Sequence, residues 1–232
     1  MPPGSVAPDN LRLRAASEQG EASDLGRVRA GQERQRRSGM KPDPDLRDAG
    51  ARASALVGLF CSPEQFGGVV PVAPEQVPDP ARTLLDHHSH MTVAMERFHG
   101  GDVRLRVVAR LGEGADNQPT VTGYAREILL ENGAGRIVQY GIVRIDLTSL
   151  DAATARAIRE AKRPLGRILI EAGVLREVRS VELLKVTPGP HLRHLLWPHG
   201  DVTSGAPLHG RVADIQLNGR PAVELLEIVV PT

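Results

Sequence analysis

The sequence predicts an α+β fold built on a single antiparallel β-sheet, and three observations predict it. Apolar residues recur at every second position in several short stretches, the spacing of half-buried strands. Those stretches come as neighbours joined by tight turns, Asn132-Gly133-Ala134-Gly135 and Asn218-Gly219, which are hairpin signals. Helical patterns interrupt the strands without alternating with them, so the parallel sheet of an alternating strand–helix chain is excluded.

The elements follow in order. Residues 1–50 mix Arg, Gly, Ser, Ala and acids without an aromatic residue, and such a segment cannot offset its ordering entropy. A disordered tail is expected there, with Met40 as an internal candidate start. Residues 51–83 read as a linker: a short helix over 53–60, then an extended stretch enforced by Pro71, Pro74, Pro78 and Pro80. The domain proper is expected over 84–232. It opens with a helical stripe of Leu84, His88, Met91, Met95 and Phe98, ended by Gly100-Gly101. Strands follow over 103–111, 121–130 and 137–147. The first of them alternates apolar residues with Arg104, Arg106 and Arg110. Ser149 or Asp151 caps a helix running to Lys162, and Pro164 starts a shorter one that Gly173 ends. A strand over 176–187, a short helix or turn over 188–197, and a final strand pair around Asn218-Gly219 complete the pattern.

Composition narrows the function. The chain has 232 residues, 41% of them apolar and only 3% aromatic, so aliphatic side chains carry the core. Lysine and arginine total 29 against 28 acids. That balance lacks the basic excess of a nucleic-acid binder. A single cysteine, Cys61, excludes an internal disulfide and a cysteine-based zinc site. With no apolar run long enough to span a bilayer and no secretory apolar segment, a cytoplasmic location is expected. His87, His88, His90 and His99 cluster, but their spacing does not bring three ligands onto one helix face, so no metal is expected. Ser89 and Ser149 lack the strand–turn–helix context of a hydrolase nucleophile.

The chemistry concentrates on Arg126, in the string Tyr124-Ala125-Arg126-Glu127-Ile128-Leu129-Leu130. A buried arginine requires a partner: Glu127, Glu227, another acid, or a ligand carboxylate. The alternation alone also admits a solvent-facing Arg126 whose stem covers the sheet. Glu224 and Glu227 stand three apart on a strand, so only one of them can face a pocket.

Several blocks, in order, carry a family likeness: Met91-Thr92 with Glu96-Arg97-Phe98, then Arg126 to Leu130, then Pro164-Leu165-Gly166-Arg167, then Glu227 four residues before Pro231. Together they make residues 84–231 resemble the chorismate pyruvate-lyase family, which makes 4-hydroxybenzoate. The resemblance implies a chorismate lyase-like sheet whose ligand is buried under helical flaps. It implies elimination of pyruvate from chorismate, giving 4-hydroxybenzoate or a related aromatic hydroxy acid, without a metal or redox cofactor. Arg126 would bind the ring carboxylate, helped by Met91 and by backbone near Leu165 and Gly166. Glu227 would face the ring hydroxyl, so that Arg126 and Glu227 form the catalytic pair. The family's second arginine follows a glycine on the next strand. Here Ile142 follows Gly141, and Arg144 is the candidate for that role. The alternative is a non-catalytic domain of the same fold that senses an aromatic acid. Such effector domains normally follow a winged helix, and nothing before residue 84 reads as one. The expected partner is a small aromatic carboxylate, with no nucleic acid, and the expected state is a monomer.

Overall fold

The structure, a computed structural model, describes residues 44–112, 123–198 and 206–231. The expected tail therefore lies outside the described residues up to position 43, as do 113–122, which include the first two residues of the strand expected over 121–130, and 199–205. Among the described residues seven strands form one sheet: β1 (Gly67–Pro71), β2 (Arg104–Leu111), β3 (Tyr124–Glu131), β4 (Ile137–Ile145), β5 (Arg176–Pro188), β6 (Leu208–Leu217) and β7 (Arg220–Val229). Their spatial order is β1-β5-β6-β7-β4-β3-β2, and every neighbouring pair is antiparallel. The α+β class and the single antiparallel sheet read from the sequence are those of the structure.

The hairpin signals explain the pairing. Asn218 and Gly219 both adopt positive φ, 52° and 78°, as a type I′ turn between β6 and β7 requires. One long-range pairing, β4 with β7, joins the two hairpin groups and puts Gly141 opposite Glu227.

Helices cover both faces. On one face lie α1 (Pro44–Val57), α2 (Pro63–Phe66) and α7 (Pro190–Leu196). Ala49, Ala53, Leu56, Phe66 and Leu192 from these helices pack against Leu129, Tyr140, Ile142 and Leu226 of the sheet. On the other face lie α3 (Ala81–Leu85), α4 (Met91–His99), α5 (Ala152–Glu160) and α6 (Leu165–Glu171). Two separate apolar clusters form there. Leu85, Met91 and Met95 gather with Leu130 and Val229, while Ile158, Ile168 and Leu169 gather with Val143, Ile215 and Leu225. Asp151 caps α5 by accepting from the Ala153 and Thr154 amides at 2.9 Å each.

Two expectations need correction. Residues 51–83 are not a linker: they hold the second half of α1, all of α2, α3 up to Thr83, and β1, which pairs with β5 from Gly67↔Pro188 to Pro71↔Leu184. Edge strands tolerate proline, so Pro71 does not bar this pairing. The stripe from Leu84 to Phe98 is two helices, α3 and α4, because residues 86–90 leave helical geometry. The carbonyls of Leu85 and His87 instead accept hydrogen bonds from Arg211 Nη1, at 3.1 and 2.7 Å. Phe98, the last position of that stripe, is 49% exposed. No helix among the described residues is long and apolar enough to cross a membrane.

Candidate functional site

Between the two apolar clusters lies a cavity on the α3–α6 face of the sheet. Its floor is set by strand register. One row across the sheet is Ile128, Gly141, Glu227 and Arg211, each opposite the next. The adjacent row towards one end is Arg126, Val143, Leu225 and Ala213, and towards the other end Leu130, Gln139 and Val229. Period-two alternation sends these side chains to the same face. The roof comes from Ser89 to Thr92, at the start of α4, and from Pro164 to Gly166, at the start of α6. Gly166 lets the two roof segments approach: a Cβ there would sit 3.3 Å from His90 Nδ1 and 3.4 Å from Thr92 Oγ1. The free space within it is about 60 Å³.

Five of the six residues singled out from the sequence line this cavity: Met91, Arg126, Leu165, Gly166 and Glu227. Arg144 does not. It shares the face of Tyr140 and Ile142, and it pairs with Glu224 beside α1 on the opposite side of the sheet. Alternation takes it away: Gln139, Gly141 and Val143 point to the cavity face, whereas Ile142, which borders the cavity, packs its side chain into the cluster on the opposite face, and Arg144 follows it there.

Arg126 is fully buried. Among the described residues its Nε and Nη2 have no hydrogen-bond partner, and Nη1 reaches only the Ile158 carbonyl, at 3.5 Å. Burial pushes its pKa down and Arg110, opposite it on β2, adds to that, while the Tyr124 phenol opposes both. Neither acid considered from the sequence serves it. Glu127 points to the far face, where its Oε1 accepts from the Tyr140 hydroxyl and meets His191 Nε2, each at 2.6 Å. Burial, with the Glu127 carboxylate second, pushes the Tyr140 phenol well above its ordinary range.

Glu227 is engaged by a residue that the sequence did not single out. Arg211, 1% exposed, donates from Nε to Glu227 Oε2 at 2.8 Å. Gln139 Nε2 donates to Glu227 Oε1 at 3.4 Å. Arg211 Nη1 also stands 3.3 Å from His87 Nδ1, which accepts from the Ser89 amide at 3.1 Å. Burial and the nearby Arg211 charge push His87 down. His90 is pushed down to about 4 by burial, then by Arg176 and Arg211, and its Nε2 contacts Arg176 Nε. Of the histidine string, His90 lines the cavity, while His87 contacts Arg211 and His88 contacts the Val178 carbonyl.

The cavity therefore holds two buried guanidinium groups and one carboxylate. The carboxylate is matched to Arg211, which leaves the Arg126 charge without a counter-ion among the described residues. An ionised group in that state is costly in a low-dielectric interior. The site can satisfy it with an anion of planar, bidentate geometry, and its remaining walls are largely aliphatic.

No protein-family model matches this chain, and no curated protein matches it. Among solved structures it is similar to the ligand-binding domain of a candidate GntR-family transcriptional regulator from Bordetella bronchiseptica. The identity there is 16% and the TM-score 0.41, over 55% of this chain and 85% of that one. It is also similar to PhnF from Mycobacterium smegmatis, at 16% identity and TM-score 0.42, over 61% of this chain and 63% of that one.

Proposed function

We propose that this chain is a binding domain for a small aromatic monocarboxylate, held in the cavity with Arg126 as its anchor. The observation that carries this reading is the buried Arg126 guanidinium, which has two donor nitrogens without partners among the described residues. A carboxylate there forms charge-assisted bonds in a site that water screens poorly. Met91, Ile128, Leu165 and Val143 supply apolar contact for a ring, and Gly141 leaves the centre of the floor flat.

Binding without turnover is favoured over elimination of pyruvate from chorismate. Chorismate carries two carboxylates, and the second needs a second cation. Arg144 lies on the other face, and Arg211 is committed to Glu227 and to two backbone carbonyls. Glu227, the one carboxylate lining the cavity among the described residues, is held by Arg211 and Gln139.

Calorimetry of the full chain with benzoate tests the reading. Saturable binding is expected, and Arg126→Met should weaken it at least about tenfold, since bonds to a charged group are worth about 1.5–3 kcal/mol. Unchanged affinity in that variant would remove Arg126 as the anchor. Incubation with chorismate should release no pyruvate, and enzymatic release would restore the elimination reading.

A further inference from the structure

We infer that Gln139 reads a hydrogen-bond donor on the ligand, a hydroxyl or amino group carried on the ring away from its carboxylate. This rests on the carboxylate reading above and narrows it to donor-bearing aromatic acids.

Gln139 lines the cavity and is 2% exposed. Its Nε2 is used by Glu227 Oε1, and its Oε1 is buried without a partner among the described residues. The orientation of the amide follows from chemistry. Turning it over would set a carbonyl oxygen against the Glu227 carboxylate, and two acceptors repel. The atom left over is therefore an acceptor. A buried acceptor without a donor costs free energy, as the unpartnered Arg126 does at the other end of the floor.

Register places the two ends. Arg126 lies opposite Val143, and Gln139 stands four residues before Val143 on the same face of β4. That separation is about 13 Å between backbone positions along the strand. Gly141 lies midway and contributes no side chain. A flat ring over Gly141, with its carboxylate at Arg126 and a donor at Gln139, satisfies both buried groups. Glu227 already has two donors, Gln139 and Arg211, whereas Gln139 Oε1 is the acceptor left with none among the described residues. Discrimination at such a site is strong, since a ligand without the donor leaves the acceptor unpaired.

The test compares benzoate, 3- and 4-hydroxybenzoate and 4-methoxybenzoate by calorimetry on the full chain, wild type and Gln139→Met. In the wild type one hydroxybenzoate should bind about tenfold tighter than benzoate, and the methoxy compound should gain nothing. In Gln139→Met, which keeps the side chain's length, that advantage should vanish, so that the ratio of hydroxybenzoate to benzoate affinity falls to about one. Equal binding of benzoate and both hydroxybenzoates by the wild type overturns the assignment of Gln139 alone, as does an advantage that survives the substitution. The wild-type comparison stands whether or not the variant folds. Binding of none of the four acids overturns the carboxylate reading, and this inference with it.

Discussion

Two arginines, both almost wholly buried, face the same cavity with opposite energetics. Arg211 has a carboxylate and two carbonyl oxygens as acceptors. Arg126 has one long bond, to the Ile158 carbonyl, and no acid. Replacing Arg211 with Met strands the Glu227 carboxylate, so that variant is expected to lose about 3–5 kcal/mol of stability. Replacing Arg126 with Met removes an uncompensated charge and is expected to gain about 1–4 kcal/mol while losing benzoate. Urea denaturation of the two variants checks the pair, and a loss in both would mean that Arg126 is compensated in the folded protein. Arg126 was legible in the sequence because a charge interrupts an apolar strand. Arg211 was not, for a specific reason. Counting back from the Asn218-Gly219 turn puts Glu227 opposite Gly210, and a bulge between Ile215 and Gln216 shifts the partner to Arg211. Alternation does set Glu127 on the face opposite to its neighbour Arg126, but it could not place Arg144, whose face relative to Arg126 depends on the register between β3 and β4. His90 adds a pH term. Its folded pKa is about 4 against an ordinary 6.5, so the unfolded chain takes up the proton first as pH falls. Stability should therefore decline between about pH 6.5 and 4, and His90→Gln should flatten that part of the curve in urea midpoints measured across pH. An unchanged slope would mean that His90 is not held neutral.

At the scale of elements, the strands and the α5 and α6 helices were legible because their periodicity and end signals agree. The region before residue 84 was not. The inward residues of α1 include Ala49 and Ala53, too small to mark an apolar stripe, and the prolines around β1 imitate a linker. The break between α3 and α4 was hidden for a different reason. Residues 86–90 continue the helical spacing, and a contact with a side chain more than 120 positions away in sequence redirects their carbonyls. On β4, Gly141 is the element-scale counterpart of the cavity. It is absent from the positive-φ positions, so its backbone accepts a side chain. An added Cβ would meet Ile128 Cγ1 and the Leu226 carbonyl at 3.4 Å. Gly141→Ala should accordingly change stability by less than about 1 kcal/mol, the loss of packing freedom being offset by a stiffer unfolded chain. It raises the floor under the proposed ring, so benzoate affinity should fall about tenfold or more, given the cost of overpacking a closed site. Full affinity in a stably folded Gly141→Ala would place the ring elsewhere.

For the whole molecule, the sheet is the fixed part and the roof is the part that must yield. The cavity offers about 60 Å³. An apolar cavity of roughly 150 Å³ is what accommodates benzene in a folded protein. A benzoate-sized ligand therefore needs the roof to separate from the floor. The floor strands β3, β4 and β7 are each paired on both sides, whereas residues 86–90 hold no place in a helix or ladder and α6 is two turns long. His90 and Val178 line both the cavity and an open groove along residues 173–178, so the seam beside His90 is the short way out to solvent. Opening is thus local, with a free energy below that of global unfolding. Hydrogen exchange measures this directly. Amides of residues 86–92 and 165–171 should exchange faster than those of β3, β4 and β7, and saturating benzoate should slow the first group far more than the second. Binding also stabilises the whole fold by mass action, and that contribution alone would raise only those amides that exchange through global unfolding. Protection confined to the sheet amides would show a preformed opening and a roof that does not close over the ligand. Selective protection of the two roof segments is the result that the cavity's size and the placement of Arg126 beneath them require.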